Sequence, residues 1–378
     1  MGNDSDTGTA TGTGLLPAAD KVRAVAAEHA ADADRTRGLS TEVIEALSDA
    51  GFARHFVAAE WGGSQGSFDE LTRAVVTVGE GCAAAAWCAS LSAYSARLAT
   101  HLPAEGHREL WGESPDTVIA TGLVPSGRAR ADQGGWRVTG RWAYVSGIDF
   151  ATWAMVCAAV PGPGGEGPPQ LRFFALPRET FTVEATWDSV GMRGTGSHTV
   201  VVDDVFVPEY LSFARADMVT GKNRTSGIPV HNIPFQPLGS LTFIAPVVGA
   251  ATGALEAAAG LVTGRKRTVS GETKLLRASG GIDAARHLVL QNAEVIDGRT
   301  FTPELMARNE RNATFSAELL QEAVELLVRA TGTSGLGERH ALQRLWRDVT
   351  AATSHVALQY DTSARGNWAT VLLGAAES

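Results

Sequence analysis

The residues best suited to ligand chemistry lie in a glycine-rich stretch followed by a strand-like segment. Three glycines within six residues allow a tight turn and close approach of a flat ligand to the main chain: Gly191, Gly194 and Gly196. Thr195 and Ser197 add two small hydroxyl groups at the same turn. The β-branched run 199–207 predicts a strand that Pro208 ends. On these residues alone, a hairpin turn with hydroxyl-bearing residues explains the stretch as well as a ligand site does.

Length, composition and charge narrow the class of protein. The 378 residues suit two or three packed subdomains, and 44% hydrophobic with 19% charged residues is typical of globular proteins. A net charge of −9 argues against a nucleic-acid partner. We expect no membrane partner, because no apolar run is predicted to span a bilayer. The first fourteen residues lack the pattern of a secretory signal, so we expect a cytoplasmic protein.

Cysteine and glycine patterns argue against metal and dinucleotide sites. Cys82, Cys88 and Cys157 form no zinc-type spacing, and we interpret them as small buried hydrophobic residues. No Gly-x-Gly-x-x-Gly motif opens a βαβ unit, and no P-loop is present. We therefore predict no metal and no NAD(P)H-binding domain.

The texture of the chain changes twice along its length. We predict a disordered tail at 1–14, a helical domain at 15–115, a β-domain at 116–212, a connector at 213–237 and a helical bundle at 238–378. The predicted bundle helices are Leu238–Val262, Ile282–Asp297, Pro303–Thr331 and His340 to about Arg365. Because strands and helices are segregated, the class is α+β and not a doubly wound sheet.

Three segments carry a resemblance to a known family. They are Leu47–Phe52 followed by Trp61-Gly62-Gly63, Gly135–Gly147, and Trp187–Pro208. Together they resemble the acyl-CoA dehydrogenase superfamily. One branch of this superfamily is resembled more specifically: the oxygenase components of two-component, flavin-dependent monooxygenases (group D). The pattern typical of that branch is Trp142, followed four residues later by Ser146-Gly147, and then Trp153. The resemblance implies an N-terminal helical domain, a middle β-barrel or sandwich, a C-terminal four-helix bundle and a homotetramer.

The C-terminal region separates the two branches of this superfamily. A dehydrogenase needs a carboxylate base, yet neither Leu345–Leu358 nor Leu241–Ile244 contains an acid at the position expected for it. His355 stands in the first segment, on what we predict to be a helix. The resemblance implies that His355 titrates near neutral pH and moves protons, with Ser146 as a second catalytic residue beside flavin N5.

The same resemblance implies the cofactor and its ligands. The expected cofactor is reduced FMN, with FAD as the alternative, and O2 is the co-substrate; together they form a C4a-hydroperoxyflavin that transfers oxygen. A separate NAD(P)H:flavin reductase supplies the reduced flavin. The expected cofactor-binding residues are Trp142, Ser146, Gly147, Thr195, Ser197, Arg265, Arg267, Gly332 and Ser334.

Four residues are predicted to form the substrate pocket: Trp87, Tyr94, Ser95 and Phe243. Relatives that hydroxylate simple phenols often carry a histidine where this chain has Tyr94-Ser95. We therefore expect hydroxylation of a bulky, polyketide-like aromatic or a nitrogen-containing natural product. An acyl-CoA dehydrogenase-type oxidoreductase and a flavin-binding or scaffold protein without activity remain the alternatives.

Overall fold

A computed structural model describes residues 14–162, 167–263 and 266–374. Five helices form the first segment: α1 (Leu15–Thr36), α2 (Thr41–Ala50), α3 (Phe68–Gly81), α4 (Ala83–Ala99) and α5 (Ala104–Trp111). α3 begins where the sequence places a cap, since the Ser67 side chain accepts a hydrogen bond from the backbone N–H of Glu70 at 3.1 Å. α4 is buried along most of its length, because alanine dominates it and lets neighbouring helices approach.

Seven strands then form one sheet. They are β1 (Ile119–Asp132), β2 (Gly135–Val145), β3 (Trp153–Val160), β4 (Gln170–Pro177), β5 (Thr182–Glu184), β6 (His198–Pro208) and β7 (Ser212–Ala214). The strand order is β5-β6-β2-β1-β3-β4-β7, and among the strands that the structure describes only the β1–β3 pair is parallel. The predicted helical, β and helical order is confirmed, and the expected barrel or sandwich is a single hydrogen-bonded sheet.

The sheet curls so that strands distant in its order meet. The ring centroids of Trp136 on β2 and Phe174 on β4 lie 6.0 Å apart, although β1 and β3 separate these strands. The guanidinium of Arg172 on β4 lies 5.1 Å from the same Trp136 ring. The curl encloses a second apolar core distinct from that of the helices.

The chain then becomes helical again. Two short helices, α6 (Arg215–Thr220) and α7 (Gln236–Gly239), precede α8 (Leu241–Thr263), α9 (Val269–Asp297), α10 (Pro303–Thr331), α11 (Ala341–Thr353) and α12 (Arg365–Leu373). Pro303 occupies the first turn of α10, and the Thr302 hydroxyl accepts from the Leu305 N–H at 3.2 Å. α8 through α11 pack as the predicted bundle.

α8 is the central helix of the molecule. We expected no apolar run of membrane-spanning length, and this expectation is wrong. By length and composition alone, Gln236–Thr263 is apolar and long enough to span a bilayer. Its most apolar window is 83% buried inside the protein, where α8 packs against helices of both helical segments. A Cβ built on Gly249 would lie 2.2 Å from the Val76 carbonyl oxygen of α3, so α3 and α8 approach through backbone contact.

The predicted helix His340–Arg365 is wrong in its second half. α11 ends at Thr353, His355 is extended (φ −64°, ψ 137°), and a 3₁₀ turn and a π-helical turn lead into α12. At the end of α11, Thr353 Oγ1 and Ser354 Oγ donate to carbonyls one turn back, at 2.9 Å each. His355 is therefore presented on a turn and not on a helix.

Candidate active site

One cavity of about 510 Å³ lies where the two helical segments meet the sheet. Its wall comes from α4, from β1 and β2, from the loop 187–197, from the start of α8 and from the turn after α11. None of the described residues that line it is Asp or Glu, and Arg97 is the one lining residue of permanent charge. The volume is in the range of pockets that hold a cofactor or a drug-sized ligand.

A row of three hydroxyls crosses one wall of the cavity. Ser146 Oγ lies 2.7 Å from Ser197 Oγ, which lies 2.6 Å from Thr195 Oγ1. The Trp87 indole N–H donates to Ser146 Oγ at 3.2 Å, and Thr195 Oγ1 donates to the Met192 carbonyl at 2.9 Å. While Thr195 donates to the Met192 carbonyl, Ser197 donates to Thr195 and Ser146 donates to Ser197. If the bond from Thr195 to Met192 breaks, each hydroxyl can donate in the opposite direction, and Ser146 can then donate its proton to a group in the cavity. The row can therefore donate to, or accept from, a bound group.

The loop 187–197, which carries two of these three hydroxyls, is fixed to α11. The Met192 N–H donates to Asp348 Oδ1 at 2.6 Å, and a Cβ on Gly191 would lie 2.0 Å from the Arg347 carbonyl oxygen. Arg347 forms a bidentate ion pair with Asp34 of α1: Nη1 lies 3.0 Å from Oδ1, and Nη2 lies 2.8 Å from Oδ2. Arg347 and Asp348 are neighbours in sequence, yet their side chains reach different elements, α1 and the glycine-rich loop.

His355 lies in an aromatic corner of the cavity. Its ring centroid is 3.9 Å from that of Phe243 and 5.7 Å from that of Trp87. Desolvation lowers the pKa of His355 to about 4, so the imidazole is neutral at pH 7, and the near-neutral titration we expected is wrong for this environment. Nδ1 accepts from the Ala357 N–H at 3.2 Å, which places the remaining proton on Nε2. His355 thus offers a hydrogen-bond donor to the cavity.

A proline shapes the start of α8 beside this corner. Pro246 has no N–H, so the carbonyl four residues earlier, on Thr242, lacks its helical partner. Ser90 of α4 supplies it, because its hydroxyl donates to the Thr242 carbonyl at 2.7 Å. The bond ties α4 to α8 below Phe243.

The predicted site residues fall into two groups. The cavity is lined by Trp87, Tyr94, Ser95, Trp142, Ser146, Thr195, Ser197, Phe243 and His355. Trp142 is fixed by its indole N–H, which donates to the Cys157 carbonyl at 2.7 Å, so it contributes only surface. Gly147 lies beside the cavity, with its N–H bonded to the Thr195 carbonyl at 2.8 Å.

The other predicted residues that the structure describes do not line the cavity. Arg267 is exposed near the start of α9, 3.8 Å from Glu272, and Gly332 and Ser334 lie in the 3₁₀ turn after α10. Arg265 and residues 1–13 of the predicted tail lie outside the described residues. All three described residues stay predictions for a cofactor contact.

Sequence reasoning missed three lining or supporting residues. Arg97 and Trp187 line the cavity, and Asp348 anchors the glycine-rich loop. Arg97 is the only arginine in an alanine-rich buried helix, and Trp187 precedes the glycine-rich turn, where its indole N–H donates to the Met192 carbonyl at 3.0 Å, so both signals were available. Asp348 acts through a contact 156 positions away, which no local pattern reports.

Comparisons with known proteins agree with this architecture. The profile described as "Acyl-CoA dehydrogenase, N-terminal domain" matches residues 17–109, and "Acyl-CoA dehydrogenase, C-terminal domain" matches residues 241–360. The two matched ranges fall on the two helical segments, on either side of the sheet.

Relatives and solved structures make the assignment specific. The chain is 31% identical over 364 residues to the flavin-dependent monooxygenase, oxygenase subunit HsaA of Mycobacterium tuberculosis, covering 91% of each chain. The crystal structure of 3-HSA hydroxylase from Rhodococcus sp. RHA1 matches with a TM-score of 0.90 at 26% identity, over 97% of this chain and 98% of that one. XiaF from a Streptomyces species, in complex with FADH2 and glycerol, matches with a TM-score of 0.88 at 25% identity, over 96% and 95%. The chain belongs to the oxygenase components of two-component, flavin-dependent monooxygenases.

Proposed function

We propose that this enzyme hydroxylates a bulky aromatic or nitrogen-containing substrate with reduced flavin and O2. The observation that carries the proposal is the cavity wall, which holds a row of hydroxyls and a neutral imidazole but no Asp or Glu among the described residues. An acyl-CoA dehydrogenase would need a carboxylate there to remove the proton beside the thioester carbonyl. The dehydrogenase alternative therefore has no carboxylate base among the described residues that line the cavity.

The residues present fit a flavin. The lining side chains Val124 and Tyr144 are 67% and 76% exposed, so the mouth of the cavity presents apolar surface that a flat ring would cover. Ser146, Thr195 and Ser197 would hold the polar edge of the ring, because their hydrogen bonds can reverse. Bound reduced flavin would activate O2 and supply the oxygen atom. FMN remains our first choice, although the similar XiaF structure contains FADH2.

The chain's own residues bind, orient and exclude water. Phe243 and Trp87 hold the imidazole of His355 in place, and its Nε2–H is free for an acceptor oxygen on substrate or cofactor. The apolar wall keeps water away from the reacting groups and strengthens that hydrogen bond. His355 and Ser146 are our candidate catalytic residues, with Trp87, Tyr94, Ser95 and Phe243 around the substrate.

The proposed activity is tested by following the oxygen atom. The protein is mixed with photoreduced FMN or FAD and isotopically heavy O2, in the presence of a panel of fused-ring phenols and indoles. A hydroxylated product that carries one heavy oxygen atom supports the proposal. Bleaching of oxidised flavin by acyl-CoA, without oxygen transfer, would instead support the dehydrogenase; neither signal would indicate a scaffold.

The partners and assembly are proposed on the same basis. A separate NAD(P)H:flavin reductase would deliver the reduced flavin, which places the enzyme in the cytoplasm, where NAD(P)H is available. Large exposed apolar side chains on α9 and α12 support a homotetramer: Val269 (81%), Leu276 (74%), Leu372 (65%) and Leu373 (84%). Light scattering that shows a monomer with full flavin affinity would contradict the assembly.

A further inference from the structure

Arg97 is a buried cation at the end of the cavity formed by α4 and the connector. Only 4% of the residue is exposed, yet it lines the cavity. Its Nε donates to the Val230 carbonyl at 2.7 Å, and Nη2 donates to the His231 and Ile233 carbonyls at 3.3 and 3.0 Å. Nη1 makes no hydrogen bond with any of the described residues. The side chain is therefore held rigidly while one of its nitrogens stays available.

The charge of Arg97 is not neutralised by the protein. No carboxylate of the described residues forms an ion pair with it, and burial lowers the pKa of its guanidinium to about 10, which leaves it charged at neutral pH. The nearby His101 and His231 are neutral, since desolvation lowers their pKa values to about 3 and about 4. Carbonyl groups satisfy hydrogen bonds but do not cancel a full charge, and an uncompensated buried charge is costly.

Tyr94 adds a second unpaired group at the same end. It stands one helical turn before Arg97 on α4, so the two side chains share a face of the helix. Its hydroxyl oxygen is buried near the Thr242 side chain and has no hydrogen bond of normal geometry among the described residues, although the residue lines the cavity. Ser95 beside it is already bonded to Thr121, at 2.8 Å. One charged donor and one neutral donor thus lie at the same end of the cavity.

We propose that Arg97, with Tyr94, binds a negatively charged oxygen group of the substrate, such as a carboxylate. This inference rests on the proposed function and defines its substrate class: an aromatic acid whose ring faces the hydroxyl row and His355, with its anionic group at Arg97. A guanidinium recognises a carboxylate through charge-assisted hydrogen bonds, which are about twice as strong as neutral ones. Arg97 is then a specificity-determining residue and not part of the oxygen chemistry.

The experiment measures binding to the flavin-free protein, so it does not depend on catalysis. Dissociation constants for 1-naphthoate and its neutral isostere 1-naphthamide are obtained by equilibrium dialysis. We expect wild type to bind the carboxylate about tenfold or more tightly than the amide. Arg97→Gln should remove this preference while retaining naphthamide binding, and Tyr94→Phe should reduce it by a smaller factor.

Controls separate recognition from structure. Arg54→Gln alters an arginine that pairs with Asp116 outside the cavity and should leave the ratio unchanged. Equal wild-type affinity for the two ligands would overturn the proposal without any variant, even if Arg97→Gln fails to fold. If a folded Arg97→Gln variant lost affinity for both ligands by the same factor, the proposal would also be overturned, because Arg97 would then only hold the connector in place. A carboxylate preference without oxygen transfer would refute the proposed function alone.

Discussion

The buried carboxylate of Asp348 yields the most quantitative prediction. It is 5% exposed and accepts the Met192 N–H that fixes the glycine-rich loop. Desolvation is the main cause that raises its pKa from 3.8 to about 6, against the opposing effect of that hydrogen bond. Asp348→Asn keeps an acceptor oxygen for the Met192 N–H and removes the ionisable group.

The sign of the pH dependence follows from the two pKa values. Since the folded-state pKa lies above the unfolded one, the folded protein binds the proton more tightly between pH 3.8 and 6. Stability contributed by Asp348 is therefore fully present below about pH 4 and is lost as the pH rises through 6. Each pH unit between the two pKa values is worth about 1.4 kcal/mol, so the buried carboxylate costs about 3 kcal/mol above pH 6.

The assay is the midpoint of thermal and urea unfolding at pH 8 and pH 4.5. From the urea curves, we expect the free energy of unfolding of Asp348→Asn to exceed that of wild type by up to about 3 kcal/mol at pH 8. The difference should be smaller at pH 4.5, where wild-type Asp348 is mostly protonated in the folded protein. Asp283→Asn, on the exposed surface of α9, is the control and should change neither midpoint. A variant less stable than wild type by the same amount at both pH values would refute the reasoning, because the carboxylate would then be stabilising in both.

Three further predictions test the site and its support. His355→Ala should still bind flavin but give little hydroxylated product and release hydrogen peroxide; an unchanged product yield would remove His355 from the mechanism. Gly191→Ala, whose Cβ would meet the Arg347 carbonyl at 2.0 Å, should destabilise the protein by about 1–3 kcal/mol and weaken flavin binding, and unaltered flavin titrations would show that the loop adapts. Gly249→Ala should lower the free energy of unfolding by about 1–3 kcal/mol. Gly260→Ala, on the same helix, should raise or preserve it, because a Cβ at Gly260 would have no atom within 4 Å. Equal effects of the two substitutions would argue against tight packing of α3 on α8.

The fold was predictable where local chemistry and periodicity agree. Pro303–Thr331 has a capping threonine, a proline in its first turn and regular apolar spacing, and its bounds match α10. By contrast, β1 continues to Asp132 although its glycines and proline disfavour a strand, because pairing with β2 and β3 maintains it. We predicted that this helix begins at Ile282, whereas α9 begins at Val269. The prediction missed its first half because those residues are mostly exposed or half-buried and form no apolar stripe.

The site was predictable to the extent that its residues are close in sequence. Thr195 and Ser197 share one short loop, so their proximity follows from the motif itself. The break at His355 was not predictable from a Thr-Ser-His sequence that contains neither glycine nor proline. Asp348 contacts a residue 156 positions away, and Arg97 contacts a connector more than 130 positions away. Such contacts depend on tertiary packing, which no local pattern encodes.

The shared wall of the cavity limits how the enzyme can be engineered. Its surface is divided among α4, the sheet and the start of α8, so no single segment contains a complete pocket. A chimera that takes one segment from a relative would join mismatched surfaces at the seam, even if each part folded well. New specificity is therefore more accessible through point substitutions at the Arg97 end than through exchange of whole modules.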